Sequence, residues 1–162
     1  MTLLTPARIA IFLGAVSAAL ILGALGFQYI GHYPPCELCM LQRYPHFAAI
    51  AVGLGGGLLL ETGLLPRKFG TATAFIAALL VMATGVIGVY HAGVEWQWWR
   101  GPSTCTGTAI RLSGALDLNA PVISCDHAAW RLFGISMAGY NGLISMGAAI
   151  LGLAALTKAE EK

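Results

Sequence analysis

Charge is scarce in this chain. Lysine, arginine, aspartate and glutamate supply only 10% of its 162 residues, where a soluble globular domain carries about a quarter. Most of the molecule therefore cannot face water, and a 57% hydrophobic composition with mean hydropathy +0.76 makes lipid its solvent. The net charge is only +2 and the basic residues are scattered, so the electrostatic footprint of nucleic-acid binding is missing. Solenoid-type repeats and low-complexity tracts are missing as well.

The few charges mark the crossings, because a charge at the bilayer centre costs about 2.5 to 3.5 kcal/mol. A spanning helix needs about 20 apolar residues. The gaps predict four spans, about 9–28 after Arg8, 44–62 after Arg43, 69–90 after Lys68 and 132–157 after Arg131. The first apolar stretch exceeds the 7 to 15 residues of a signal-peptide core and reads as a retained helix. The expected fold is all-α: a single membrane domain over 1–162, a four-helix bundle with two cysteine-bearing loops, about 29–43 and 91–131. Gly53, Gly55, Gly56 and Gly57 in the second span, and Gly134, Ser136, Gly139, Gly142, Ser145 and Gly147 around the fourth, suit close helix packing. The run from Glu95 through Trp96, Gln97, Trp98 and Trp99 to Arg100 reads as an aromatic anchor at headgroup level.

Two spans separate the cysteine loops, so Cys36, Cys39, Cys105 and Cys125 share one side of the membrane. Arg8, Arg67, Lys68, Lys158 and Lys162 lie on the other side, five against Arg43, Arg100, Arg111 and Arg131, which are four. The positive-inside rule then puts the termini in the cytoplasm and the cysteine loops outside it. An even set of loop cysteines also suits an oxidising compartment.

Cys36-Glu37-Leu38-Cys39 follows Pro34-Pro35, which places the pair where the second helix begins. There the free amides and the helix dipole favour a thiolate. On a continuous helix, Arg43 lies on the face of Cys39 one turn deeper. Pro45 leaves the Leu41 carbonyl without its donor, and a break there would move Arg43 off that face. Glu37 puts a negative charge beside both thiols. Taken alone, the pair is a redox centre, half a zinc site or an inert bridge. Cys105 and Cys125, in a segment with Gly101-Pro102, Gly107, Gly114 and Pro121, lack the second close-spaced pair of a four-cysteine zinc site. Exchangeable disulfides are the alternative. The sequence leaves open whether bonds form within each loop or between Cys36 and Cys125. His32, His46 and His127 read as interfacial or loop histidines, with no metal constellation among them.

These residues, with Gln42-Arg43 after the pair and Cys125-Asp126, Trp130, Phe133-Gly134 and Met137 after the long loop, resemble the DsbB family of bacterial disulfide-bond formation proteins. That resemblance covers nearly the whole chain. It implies a quinone-dependent protein-disulfide oxidoreductase of the bacterial inner membrane, multi-pass with cysteine loops in the periplasm. Such an enzyme reoxidises a DsbA-like periplasmic thiol oxidase and passes the electrons to ubiquinone or menaquinone. By the same resemblance, Cys36–Cys39 and Cys105–Cys125 are the redox-active pairs. Cys105 is the sulfur the partner attacks, Cys36 exchanges with the loop pair, Cys39 faces the quinone, and Arg43 and His91 line its pocket. His91 reads equally as an interfacial polar residue. No metal is implied. Vitamin K epoxide reductase-type proteins combine similar parts, with the loop pair first in the chain.

Overall fold

The computed structural model describes residues 5–106 and 124–160. Gly107, Arg111, Gly114, Pro121 and Lys162 lie outside the described residues. Thr5 starts the first helix by accepting a hydrogen bond from the Arg8 amide at 3.3 Å, with Pro6 at the first position, where its missing N–H costs nothing. Helix α1 then runs over Pro6–Tyr29. The second rod has three parts: α2 (Glu37–Ala49), a π-helical stretch (Ile50–Gly56) and α3 (Gly57–Glu61). It continues through Pro45, so the break considered for that position does not occur and Arg43 keeps its place one turn below Cys39. After a single 3-10 turn at Arg67–Phe69, α4 covers Gly70–Glu95.

A small hairpin precedes the last rod. Strands β1 (Arg131–Leu132) and β2 (Ile135–Ser136) pair antiparallel, Arg131 with Ser136 and Leu132 with Ile135. Their turn takes Phe133 and Gly134 to φ of 49° and 81°, and only the glycine adopts this without strain. Helix α5 follows over Met137–Glu160.

Three helical segments, Pro6–Tyr29, Arg67–Glu95 and Met137–Ala159, are long and apolar enough to cross a bilayer. With the segmented second rod, they make an all-α membrane bundle of four helices among the described residues. Its core is built from small residues, including Ala10, Ala49, Ala74, Ala77, Ala78 and Ala149, while Phe12, Leu22, Phe75, Leu79 and Leu151 point outward. This inside-out distribution suits helices held by close contact in lipid, where burying apolar side chains gains little. At one end the α1 N-terminus meets the start of the α3–α4 turn, with Arg8 Nε 3.5 Å from Glu61 Oε1. The opposite end gathers the two cysteine segments.

Candidate active site

Cys36 is the N-cap of α2, and its sulfur accepts the Cys39 amide at 3.1 Å, a position more often filled by serine or aspartate. The Cys36 thiol donates to the Cys39 sulfur 2.7 Å away, and neither is disulfide-bonded. Cys105 and Cys125 form a disulfide. The Cys125 amide donates to the Cys105 carbonyl at 2.7 Å, which fastens the two arms of the long loop together. Buried Cys36 and Cys125 share one apolar cluster with Leu38 and Val94, and Cys39 and Cys105 pack against it. The structure therefore brings the four predicted cysteines together, one pair bonded and the other as thiols.

The two thiols are not equivalent. The hydrogen bond from Cys36 holds the Cys39 thiol below its ordinary range, against the opposing effect of burial. That same bond, helped by burial, pushes Cys36 up. Glu37 is exposed on the first turn. The carboxylate whose charge opposes ionisation at both sulfurs is Glu95.

A cleft of about 390 Å³ opens beside the pair. Its walls include Ile21, Ala24, Phe27, Trp130, Leu132 and Met137, and its polar edge includes Cys39, Arg43, His91 and Glu95. Arg43 Nη1 donates to Gln28 Oε1 on α1 at 2.7 Å, and Arg43 lines the cleft. His91 is buried, with Nε2 3.6 Å from Cys36 Sγ. The sulfurs of Cys36 and Cys39 and a ring nitrogen of His91 lie within 4.8 Å of one another.

Three further groups escaped the sequence reading. Glu95, read as part of a headgroup anchor, has a side chain only 7% exposed, with Oε1 3.7 Å from His91 Nε2. Its Oε2 is buried without a hydrogen-bond partner among the described residues. His46 is not interfacial: it is 3% exposed, bonded to Ser17 at 3.1 Å and to Asn141 at 2.9 Å. Asn141 reaches across from α5 to Gln42 at 2.7 Å. Helical spacing was the available signal, since Cys39, Gln42, Arg43 and His46 follow the i, i+3, i+4, i+7 stripe of one face. His32 and His127 do sit on exposed loops.

In comparisons with known proteins, the family "Disulfide bond formation protein DsbB" matches residues 6–155. An uncharacterized protein of Rickettsia prowazekii is 31% identical over 74% of this chain and 69% of its own length. The disulfide bond formation protein B of Burkholderia thailandensis is 38% identical over 47% of this chain and 40% of its own. That of Burkholderia ambifaria is 44% identical over 50% of this chain and 44% of its own. The matched region thus spans less than half the length of these two Burkholderia relatives. No solved structure matches.

Proposed function

Since the chain belongs to the DsbB family of disulfide bond formation proteins, we propose that it is a membrane oxidoreductase that takes electrons from a reduced, DsbA-like periplasmic thiol protein and delivers them to a membrane quinone. The observation that carries this reading is the single cluster holding a bonded Cys105–Cys125 pair and a Cys36/Cys39 thiol pair at the edge of an apolar cleft. One pair sits on a loop that a soluble partner can reach. The other caps a helix entering the bilayer.

The proposed exchange balances as follows. A partner thiolate attacks Cys105, the Cys105–Cys125 bond breaks, and the electron pair leaves on Cys125. Cys125 attacks Cys36 in its disulfide with Cys39, and the charge leaves on Cys39. The partner's second thiol releases Cys105, which reclaims Cys125 and frees Cys36. The partner then holds a disulfide, and Cys36 and Cys39 are thiols, the bonding pattern described above. Thiol exchange of this kind needs no metal.

The cleft suits a quinone by its chemistry: apolar walls for a ring, a cationic donor at Arg43, and at Glu95 Oε2 a buried polar atom lacking a partner. When bound, a quinone supplies the acceptor for two electrons and two protons. Cys39, whose thiol is held below its ordinary range, is the sulfur placed to give up the pair; Arg43 offers a donor to an electron-rich oxygen; buried His91 and Glu95 line the polar edge beside it. In this reading the spans at about 9–28, 44–62, 69–90 and 132–157 sit in the bacterial inner membrane, with termini cytoplasmic and the cysteine loops periplasmic.

The test is quinone reduction, followed by absorbance, on mixing the purified protein with a reduced DsbA-like protein and a soluble quinone. Turnover is expected, and Cys39→Ser should lower it by a factor on the order of 10³ or more, as removal of a covalent nucleophile does. Full turnover by the folded Cys39→Ser protein would overturn the path.

A further inference from the structure

Six hydrogen bonds join the interior of the bundle to the Cys39 sulfur, and every one of them points the same way. Two of their members have a fixed orientation. Gln42 Nε2 lies 3.2 Å from the Leu38 carbonyl, and Asn141 Nδ2 lies 3.3 Å from the Thr84 carbonyl. A carbonyl oxygen only accepts, so each amide must turn its NH₂ toward it. The rest follows. Asn141 Nδ2 donates to Gln42 Oε1 at 2.7 Å, and Gln42 Nε2 donates its other hydrogen to His91 Nδ1 at 2.8 Å. His91 therefore accepts at Nδ1 and carries its proton on Nε2, which faces Cys36 Sγ at 3.6 Å, with Glu95 Oε1 at 3.7 Å and the Cys125 backbone as its other neighbours. On the other side of Asn141, Oδ1 accepts from Ser145 Oγ at 2.9 Å and from His46 Nε2 at 2.9 Å. That leaves His46 Nδ1 to accept from Ser17 Oγ at 3.1 Å.

We propose that Gln42 and Asn141 are positioning residues that lock His91 as a neutral ring with its proton on Nε2, aimed at Cys36, so that a directed chain of donors from Ser17 ends on the Cys39 sulfur. The order is Ser17, His46, Asn141, Gln42, His91, Cys36, Cys39, crossing all four rods. Chains of aligned donors polarise one another, and a low-dielectric interior strengthens the effect. Its terminus is the thiolate that the proposed electron path needs. When the shared proton moves from Cys36 to Cys39, the charge left on Cys36 meets the His91 N–H and the Cys39 amide at 3.1 Å. The chain thus supports a negative charge on whichever sulfur holds it. Amides do not readily relay protons, so its role is polarisation and not conduction.

The same placement bears on the cluster of Cys36, Cys39 and His91, whose atoms could otherwise hold a soft metal. A histidine that ligates through Nε2 normally donates its Nδ1 proton to a carbonyl or carboxylate. Here Gln42 gives that nitrogen a donor, so Nε2 presents a proton to the thiols where a metal needs a lone pair.

The inference draws its significance from the proposed electron path, but its test uses the reduced protein alone, without partner or quinone. Either can fail while the other stands. ¹⁵N spectra of the full chain labelled at histidine, with His91 assigned by His91→Gln, should show at neutral pH a neutral ring protonated at Nε2. In Gln42→Glu, a change of nearly equal shape, the carboxylate accepts from Nδ1 and the ring proton moves there. Asn141→Leu frees Gln42 to turn over and should give a mixture of the two neutral forms. Zinc alone, titrated against thiolate absorbance, should bind Gln42→Glu about tenfold tighter than the unaltered protein. A wild-type His91 protonated at Nδ1 or doubly protonated would overturn the proposal without any variant. An unchanged ring in Gln42→Glu would do the same, and an unchanged ring in Asn141→Leu would remove Asn141 from the chain.

Discussion

Helix α1 meets the second rod in two different ways along its length. Near its start, a side chain at Gly14 would run into the backbone of Leu54, and a Cβ at Gly53 would lie 2.7 Å from the Ala10 carbonyl. Nine and twelve residues further along α1, Gly23 and Gly26 face nothing within 4 Å, and Ile21, Ala24 and Phe27 line the cleft. The same helix is therefore closed against its neighbour at one end and held off it at the other. The buried groups divide in the same way. The closed end is filled by Ile9, Ala10, Leu13 and Ala74, whereas the open end buries Gln42, His91 and Ser136 beside its apolar cluster of Leu38 and Val94. In lipid, unsatisfied polar groups are expensive and neighbours gain little from apolar burial, so stability comes from the end where backbones touch. Chemistry is left to the end where they part.

That division breaks most visibly if it is wrong about glycine. Gly53→Ala must push α1 and the second rod apart, and overpacking of this kind costs about 1 to 3 kcal/mol. Gly23→Ala has open space and gains up to about 1 kcal/mol from helix propensity. Denaturant unfolding of the purified proteins, followed by circular dichroism, should therefore move in opposite directions for the two variants. Equal effects would mean that the two ends are packed alike.

Arg43 sharpens the open side of the comparison. Its guanidinium is anchored to Gln28 on α1 at 2.7 Å and lines the cleft with Cys39. Hydrogen bonds to a charged group contribute about 1.5 to 3 kcal/mol. Taking the lower figure for a half-exposed side chain, Arg43→Met should raise KM for a soluble quinone about tenfold. The rate at saturating quinone should change less. A fall in kcat with KM unchanged would give Arg43 a part in the electron-transfer step instead.

Much of this arrangement is legible in the sequence because lipid makes patterning coarse. Charges bracket the helices, Pro34-Pro35 sets the start of the second rod, and Cys36 stands at its cap. The ends of helices were harder to read. Helix α4 continues to Glu95, beyond the expected end of the span at about residue 90, and its carboxylate is buried in the bundle and not left at the headgroups. Pro45 does not break its helix, because neighbouring helices hold a rod whose ladder lacks one bond. His46 and Asn141 were illegible singly, as each is explained by the other, 95 residues away, and by further partners such as Ser17 and Gln42. A buried polar residue is read from its partner, and partners on different helices carry no spacing signal.

The smallest expected effect concerns the inequality of the two thiols. Cys39 is held below the ordinary thiol range by the Cys36 donor, so it remains thiolate as the pH falls through about 8.5, where a free cysteine takes up its proton. Cys36→Ala removes that donor, and the Cys39 value moves up. At pH 6.5 the variant then holds less thiolate and its Cys39 should be alkylated more slowly than in the parent protein. At pH values above the range of both thiols, each is ionised. There the order should reverse, since a thiolate of higher pKa is intrinsically the better nucleophile. Alkylation rates at Cys39, measured by mass spectrometry across this range, should give profiles that cross. Parallel profiles would mean that burial and the helix terminus set the reactivity of Cys39, and that its 2.7 Å contact with Cys36 does not.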